Sequence, residues 1–188
     1  MTNRTFFLIF IIFIISCKEK ISIPKPKAFL DLKYPEPYYD NDYNLFFSYD
    51  LNSLANAESV FKNEDKFVFK LNYNVINASL YLNYTKINYD LKELISQTNF
   101  NLNNHAKVAT QASKQDFLDE NRKVYGTIYE LIGSVASPTH FYVTDSVKNF
   151  LAGSLYFKTK PNYDSLLPAI YYVKNDIIRL IESLKWNN

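Results

Sequence analysis

Lys66 to Tyr84 reads KFVFKLNYNVINASLYLNY, and two period-two alternations sit inside it. Phe67, Phe69, Leu71 and Tyr73 share one face of the first run, while Lys66, Lys70 and Asn72 share the other. In the second run Ala78, Leu80, Leu82 and Tyr84 face one way, and Ser79, Tyr81 and Asn83 the opposite way. Half-buried strands produce this pattern, because successive side chains leave the pleat on opposite sides. The connection at Asn74 is short enough for an antiparallel hairpin and too short for a parallel crossover.

Working outward toward the C-terminus, Asp90-Leu91-Lys92-Glu93 has the form of a capping box, so a helix is expected from about Asp90 to His105. Its apolar positions are Leu91, Leu94, Ile95, Thr98 and Leu102. Three further strands are expected at Lys123 to Ile132, Thr139 to Thr144 and Phe150 to Lys158, with turns at Pro138 and Asp145-Ser146. The last helix is expected from Ser165 to Trp186, capped by Asp164, with Pro168 tolerated in the first turn. Leu166, Ile170, Val173, Ile177, Leu180, Ile181 and Leu184 form its apolar stripe.

Toward the N-terminus, Asn44 to Asp50 reads as a strand and Tyr34 to Asp42 (YPEPYYDND) as a turn-rich connection. Ala28 to Lys33 is the candidate first strand. Strands, helix, strands, helix without βαβ alternation predict an α+β fold, an antiparallel sheet packed by helices. The order is reminiscent of the Mog1/PsbP-like sandwich, a likeness of topology that carries no chemistry.

The first residues read as a targeting segment. Arg4 precedes an unbroken apolar run from Phe6 to Ile15, which as a helix rises only about 15 Å, half a bilayer core. Residues 1–16 therefore read as a signal peptide, not a membrane span. Ile14-Ile15-Ser16-Cys17 resembles the bacterial lipobox, in which the Cys17 thiol carries diacylglycerol and the freed amine a further chain, palmitate being typical. Each buried CH₂ adds about 0.8 kcal/mol, so two or three chains anchor permanently. Cys17 is the only cysteine, which leaves no disulfide framework or internal thiol nucleophile in the sequence. Residues 17–27 form the lipidated end and an extended tether, and residues 28–188 one α+β domain. Lys18 is not the Asp that favours inner-membrane retention, so an outer-membrane protein facing the periplasm is expected.

Net charge is +2, which gives no basic field for nucleic acid. The two histidines, His105 on the first helix and His140 in the strand THFYVT, stand apart in sequence and at no metal-ligand spacing. No G-x-S-x-G, P-loop or G-x-G-x-x-G occurs. Gly153-Ser154 lies mid-strand, a poor position for an exposed nucleophile. A hydrolase would need a pocket uniting Ser154, His140 and an acid. The glycines Gly126, Gly133 and Gly153 fall in or beside strands, where close backbone approach is the structural expectation. No catalytic residue, cofactor or metal is expected. With 16 Tyr in the chain, the cluster Tyr38, Tyr39 and Tyr43 is the candidate partner-contact patch, since Tyr offers apolar area and a hydroxyl together.

Several segments resemble the gliding-motility lipoprotein GldD family of Bacteroidetes: PKPKAFL at Pro24 to Leu30, VYGTIYELIG at Val124 to Gly133 and FYVTDS at Phe141 to Ser146. FLAGSLYF at Phe150 to Phe157, PNYDSLLPAIYYVKNDI at Pro161 to Ile177 and IESLKW at Ile181 to Trp186 extend the resemblance. It departs at Ala152, where a basic residue is expected, and Leu45 to Lys62 matches no pattern. The resemblance implies a non-enzymatic envelope lipoprotein needed for gliding, with other gliding and type IX secretion proteins as partners. The alternative is a periplasmic small-ligand-binding lipoprotein, for which a pocket with convergent Tyr hydroxyls would speak.

Overall fold

The computed structural model describes residues 32–88, 90–160 and 162–187. The expected leader, Cys17 and the tether lie outside them, as does most of the expected first strand. Of that strand only Leu32 and Lys33 are described, and neither is in strand conformation.

The elements are β1 (Tyr39–Tyr43), β2 (Phe47–Asn52), β3 (Ala55–Lys62), β4 (Lys66–Tyr73), β5 (Ala78–Lys86), α1 (Leu91–Ala106), β6 (Gln111–Asp119), β7 (Val124–Ile132), β8 (Thr139–Thr144), β9 (Asn149–Phe157), α2 (Tyr163–Ser183) and β10 (Lys185–Trp186). Seven strands form one sheet in the order β3-β4-β5-β9-β8-β7-β6, and three form a second in the order β1-β2-β10. Every pairing is antiparallel. The α+β reading stands. Two meanders, β3-β4-β5 and β6-β7-β8-β9, join through β5 and β9, and α1 is the connection between them.

The hairpin of β4 and β5 has the expected register, Phe69 opposite Leu82 and Leu71 opposite Leu80. Its turn is one 3₁₀ turn, Asn74–Ile76, closed by Asn77 in the left-handed region, where Asn is at home. The apolar face of the large sheet packs on α2 and the small sheet. Phe69, Leu80, Leu82, Phe141, Leu151 and Leu155 meet Val173, Ile177, Leu180 and Ile181 with Phe47 and Tyr49, all of them buried. Side chains of this size contribute roughly 2 kcal/mol each when taken out of water.

Glycine permits this packing at one crossing. A Cβ on Gly153 would stand 2.1 Å from Cε1 of Phe141, whose ring lies on the glycine backbone. The structural expectation for that residue is met.

Four expectations about the elements change, and two strands are added. The connection Tyr34 to Asp42 contains β1, because β2 supplies its hydrogen bonds from Tyr39 opposite Asn52 to Tyr43 opposite Ser48; the prolines affect only the residues before it. The start of β2 slips to Phe47, because the Asn44 side chain accepts from the amides of Phe46 and Phe47 in a local turn. Strands β3 and β6 are additional. Third, α2 begins at Tyr163 with Asn162 as its cap, which places Pro168 in the second turn. The fourth change is at its far end: Leu184 is extended, and Lys185 and Trp186 leave the helix to pair with Ser48 and Phe47. Trp186 Nε1 donates to the Lys123 carbonyl at 3.0 Å. Arg122 donates to the Glu182 carbonyl and holds Asp119 at 2.8 Å, so a cation neutralises the negative end of α2.

Candidate functional site

Period two gives the large sheet a second face, and here it is polar. Direct cross-strand partners run Glu58, Lys70, Tyr81, Ser154, His140, Tyr129, Lys114 from edge to edge. At the β3 edge Glu58 meets Lys70 at 2.9 Å and accepts from Asn72 at 2.9 Å.

Helix α1 covers part of this face. Asp90 caps it by accepting from the Lys92 amide at 2.8 Å, as the sequence suggested. Only Leu102 of its apolar positions is buried, against Leu131 and Val135. Held at that end, the helix stands off the sheet elsewhere and leaves a cleft of about 770 Å³. Leu94, Gln97, Thr98 and Asn101 form the helix wall, one stripe at helical spacing. Asn83, Ser154 and Tyr156 are among the strand residues below. Lys66 and Lys158 line the cleft, and among the described residues no Asp or Glu does.

His140 and Ser154 meet at one wall. The Ser137 carbonyl can only accept, so His140 Nε2 carries the proton and donates to it at 3.1 Å. Nδ1 is then free to accept from the Ser154 hydroxyl at 2.9 Å. Sequence spacing kept the two histidines apart, whereas the fold brings the His105 ring to 5.2 Å from that of His140. His105 also packs edge-on against Tyr156 at 5.9 Å. Among the described residues no group of three His, Cys or carboxylate side chains could hold a metal. Burial, with His105 alongside, lowers the pKa of His140 to about 4, so the imidazole is neutral near pH 7.

Ser154 and His140 therefore share a site, although Ser154 lies mid-strand. The pair has the nucleophile–base and base–orienter bonds of a hydrolase, with a backbone carbonyl where a triad has its acid. Strand β9 is bonded on both sides, so the amides around Ser154 are spent in ladders and are not available to an oxyanion. The arrangement fixes an imidazole and a hydroxyl on the cleft wall.

The tyrosine cluster divides. Tyr38 is 66% exposed and Tyr43 79%. Tyr39 instead donates to Asp176 Oδ1 at 2.6 Å beneath the Arg179 guanidinium. Asp176 is buried on α2 and also accepts from Asn52 at 2.8 Å and from Tyr73. Burial raises its pKa, and the three hydrogen bonds oppose the rise. Tyr39 thus joins the small sheet to α2.

Of the cleft residues, Lys66, Tyr81 and Asn83 are legible in the sequence only as the polar side of the hairpin, and Asn101, Tyr156 and Lys158 not as a site at all. The signal available was the polar side of the hairpin, Ser79, Tyr81 and Asn83. That signal gives the face and not the height of the helix above it.

The family model for the gliding motility lipoprotein GldD matches residues 19–186. No curated protein matches the chain.

Proposed function

The chain belongs to the gliding motility lipoprotein GldD family, a family of lipid-anchored envelope proteins, and from that premise we propose a non-catalytic assembly or stabilising component of the gliding and type IX secretion machinery. The observation that carries the reading is the extent of the match, residues 19–186, from the tether to the last strand. Acyl chains on Cys17 would hold the domain at the outer membrane, facing the periplasm. Confinement to a surface raises the effective concentration of weak contacts without any new contact being made. The exposed Tyr38 and Tyr43 offer such contacts at β1, an edge strand of the small sheet. The test is Cys17→Ala. The variant is expected in the soluble periplasmic fraction, with gliding lost; cells that glide normally with soluble protein would sink the tether.

A second reading, ligand binding, is favoured by one feature, the cleft under α1 with its tyrosines and free amides.

A further inference from the structure

We propose that the cleft between α1 and strands β5 and β9 binds an acidic oligosaccharide, a chain of sugars carrying repeated carboxylates; this rests on the ligand-binding reading and is independent of the assembly role.

Charge sets the first condition. Lys66 and Lys158 line the cleft, and among the described residues neither ammonium is paired with a carboxylate. Glu58, the acid on the adjoining edge, bonds Lys70 and Asn72 and attracts Lys158 only through space, without an ion-pair contact. The two lysines stand at opposite ends. Lys66 is level with Thr85 on β5, while Lys158 follows Phe157, which is level with Ala78. Seven to eight residues of strand separate the two lysines, roughly 25 Å. One small anion cannot reach both, whereas a ligand with charges along its length can.

The middle of the cleft sets the second condition. Tyr81 and Tyr156 lie edge-to-face at 5.6 Å and 88°. Tyr81 is 44% exposed and offers its ring to a ligand. The apolar C–H faces of a sugar ring suit an aromatic face, and its hydroxyls suit amides that both donate and accept. Asn83 and Asn101 supply such amides from the floor and the helix wall, and neither has a side-chain partner among the described residues. Ser154 directs its proton to His140 and so presents oxygen lone pairs as an acceptor.

The floor disfavours an acidic peptide. Peptides commonly add to a sheet through a free edge, and β5 and β9 are central strands bonded on both sides.

The experiment is calorimetric titration of the full-length chain in detergent at about 0.15 M salt. The probes are oligogalacturonate, oligo-alginate, a neutral cello-oligosaccharide, a poly-glutamate peptide and inorganic phosphate. At least one uronate is expected to bind about tenfold or more tighter than every other probe. The double variant Lys66→Gln/Lys158→Gln should weaken it at least about tenfold with circular dichroism unchanged, as loss of charged hydrogen bonds requires. Tyr156→Phe, which keeps the ring, should retain most of the affinity. Equal binding of the neutral oligosaccharide would overturn the acidic class and leave the ligand reading standing. Equal binding of poly-glutamate or phosphate would reduce the site to a bare anion patch, which also overturns the proposal. No heat with any saccharide would remove both the proposal and the reading on which it rests.

Discussion

The Ser154 hydroxyl donates to Nδ1 of His140 over 2.9 Å because the two residues face each other directly across β9 and β8. That bond, with the one from Nε2 to the Ser137 carbonyl, saturates a neutral imidazole whose residue is only 2% exposed. A proton added at Nδ1 would displace the serine's donation and place a charge beside His105 in a buried position. With both bonds made, the imidazole and the hydroxyl form a fixed polar pair on the cleft wall at neutral pH.

The consequence for stability has a definite sign. The pKa of His140 is lowered to about 4, below the ordinary histidine value, so the unfolded chain takes up a proton before the folded one does. Stability is full above about pH 6.5 and falls as pH drops toward 4, by on the order of 3 kcal/mol from this residue. Urea midpoints between pH 4 and 7 should show the slope, and His140→Gln should remove it. An imidazole NMR titration placing His140 near pH 6.5 would contradict the account.

Asp176 acts in the opposite direction over an overlapping range. Burial raises its pKa, so the folded state holds the proton more tightly than the unfolded chain. Its contribution is fully present below the ordinary carboxylate range and is lost as pH rises through the raised value. Asp176→Asn should therefore make stability rise more steeply with pH, the reverse of His140→Gln. Asp176→Ala should cost about 3 kcal/mol below the carboxylate range, because it leaves Tyr39, Tyr73 and Asn52 without their partner, and less as pH rises and the buried carboxylate ionises.

Phe141 and Gly153 are partners opposite each other on β8 and β9, on the core face. Gly153→Ala would drive a methyl into the Phe141 ring, which is wholly buried and cannot swing outward. A loss of about 2–4 kcal/mol is expected in urea unfolding. Phe141→Leu in the same chain should recover part of it, giving a coupling above about 1 kcal/mol in the double-mutant cycle. Strict additivity would mean that the contact is not the cause.

What was readable from sequence follows burial. The hairpin β4–β5 has one face in the core, so its alternation is sharp and its positions hold; β8 keeps its place although His140 and Thr144 on its other face are buried as well. The stripe of α2 was read nearly whole, Leu166 alone ending half-buried. Strands β1, β3 and β6 are edges, β3 is exposed beyond Ala55, and their pairing comes from neighbours. Ser137 and Thr139 are buried with no side-chain partner, and nothing in the fold explains them. The His105–His140 approach and the cleft depend on how far α1 stands from the sheet. The Leu102 contact with Leu131 and Val135 sets that distance, and no local pattern records it.

The tyrosines of the N-terminal cluster should separate cleanly by experiment. Tyr39→Phe deletes the hydroxyl that reaches Asp176 and keeps the ring under Arg179, so about 1–2 kcal/mol of stability should be lost. Tyr38→Ser and Tyr43→Ser remove exposed rings and should move the urea midpoint by less than about 0.5 kcal/mol equivalent. A photo-crosslinker at position 43 should capture an envelope protein from living cells, and one at position 39 should capture none, because its side chain is directed at α2. Equal capture from both positions would mean that the small sheet detaches from α2 in the assembled state. The Asp176 network would then hold only the unbound form, and Tyr39→Phe should increase capture at position 43 instead of leaving it unchanged.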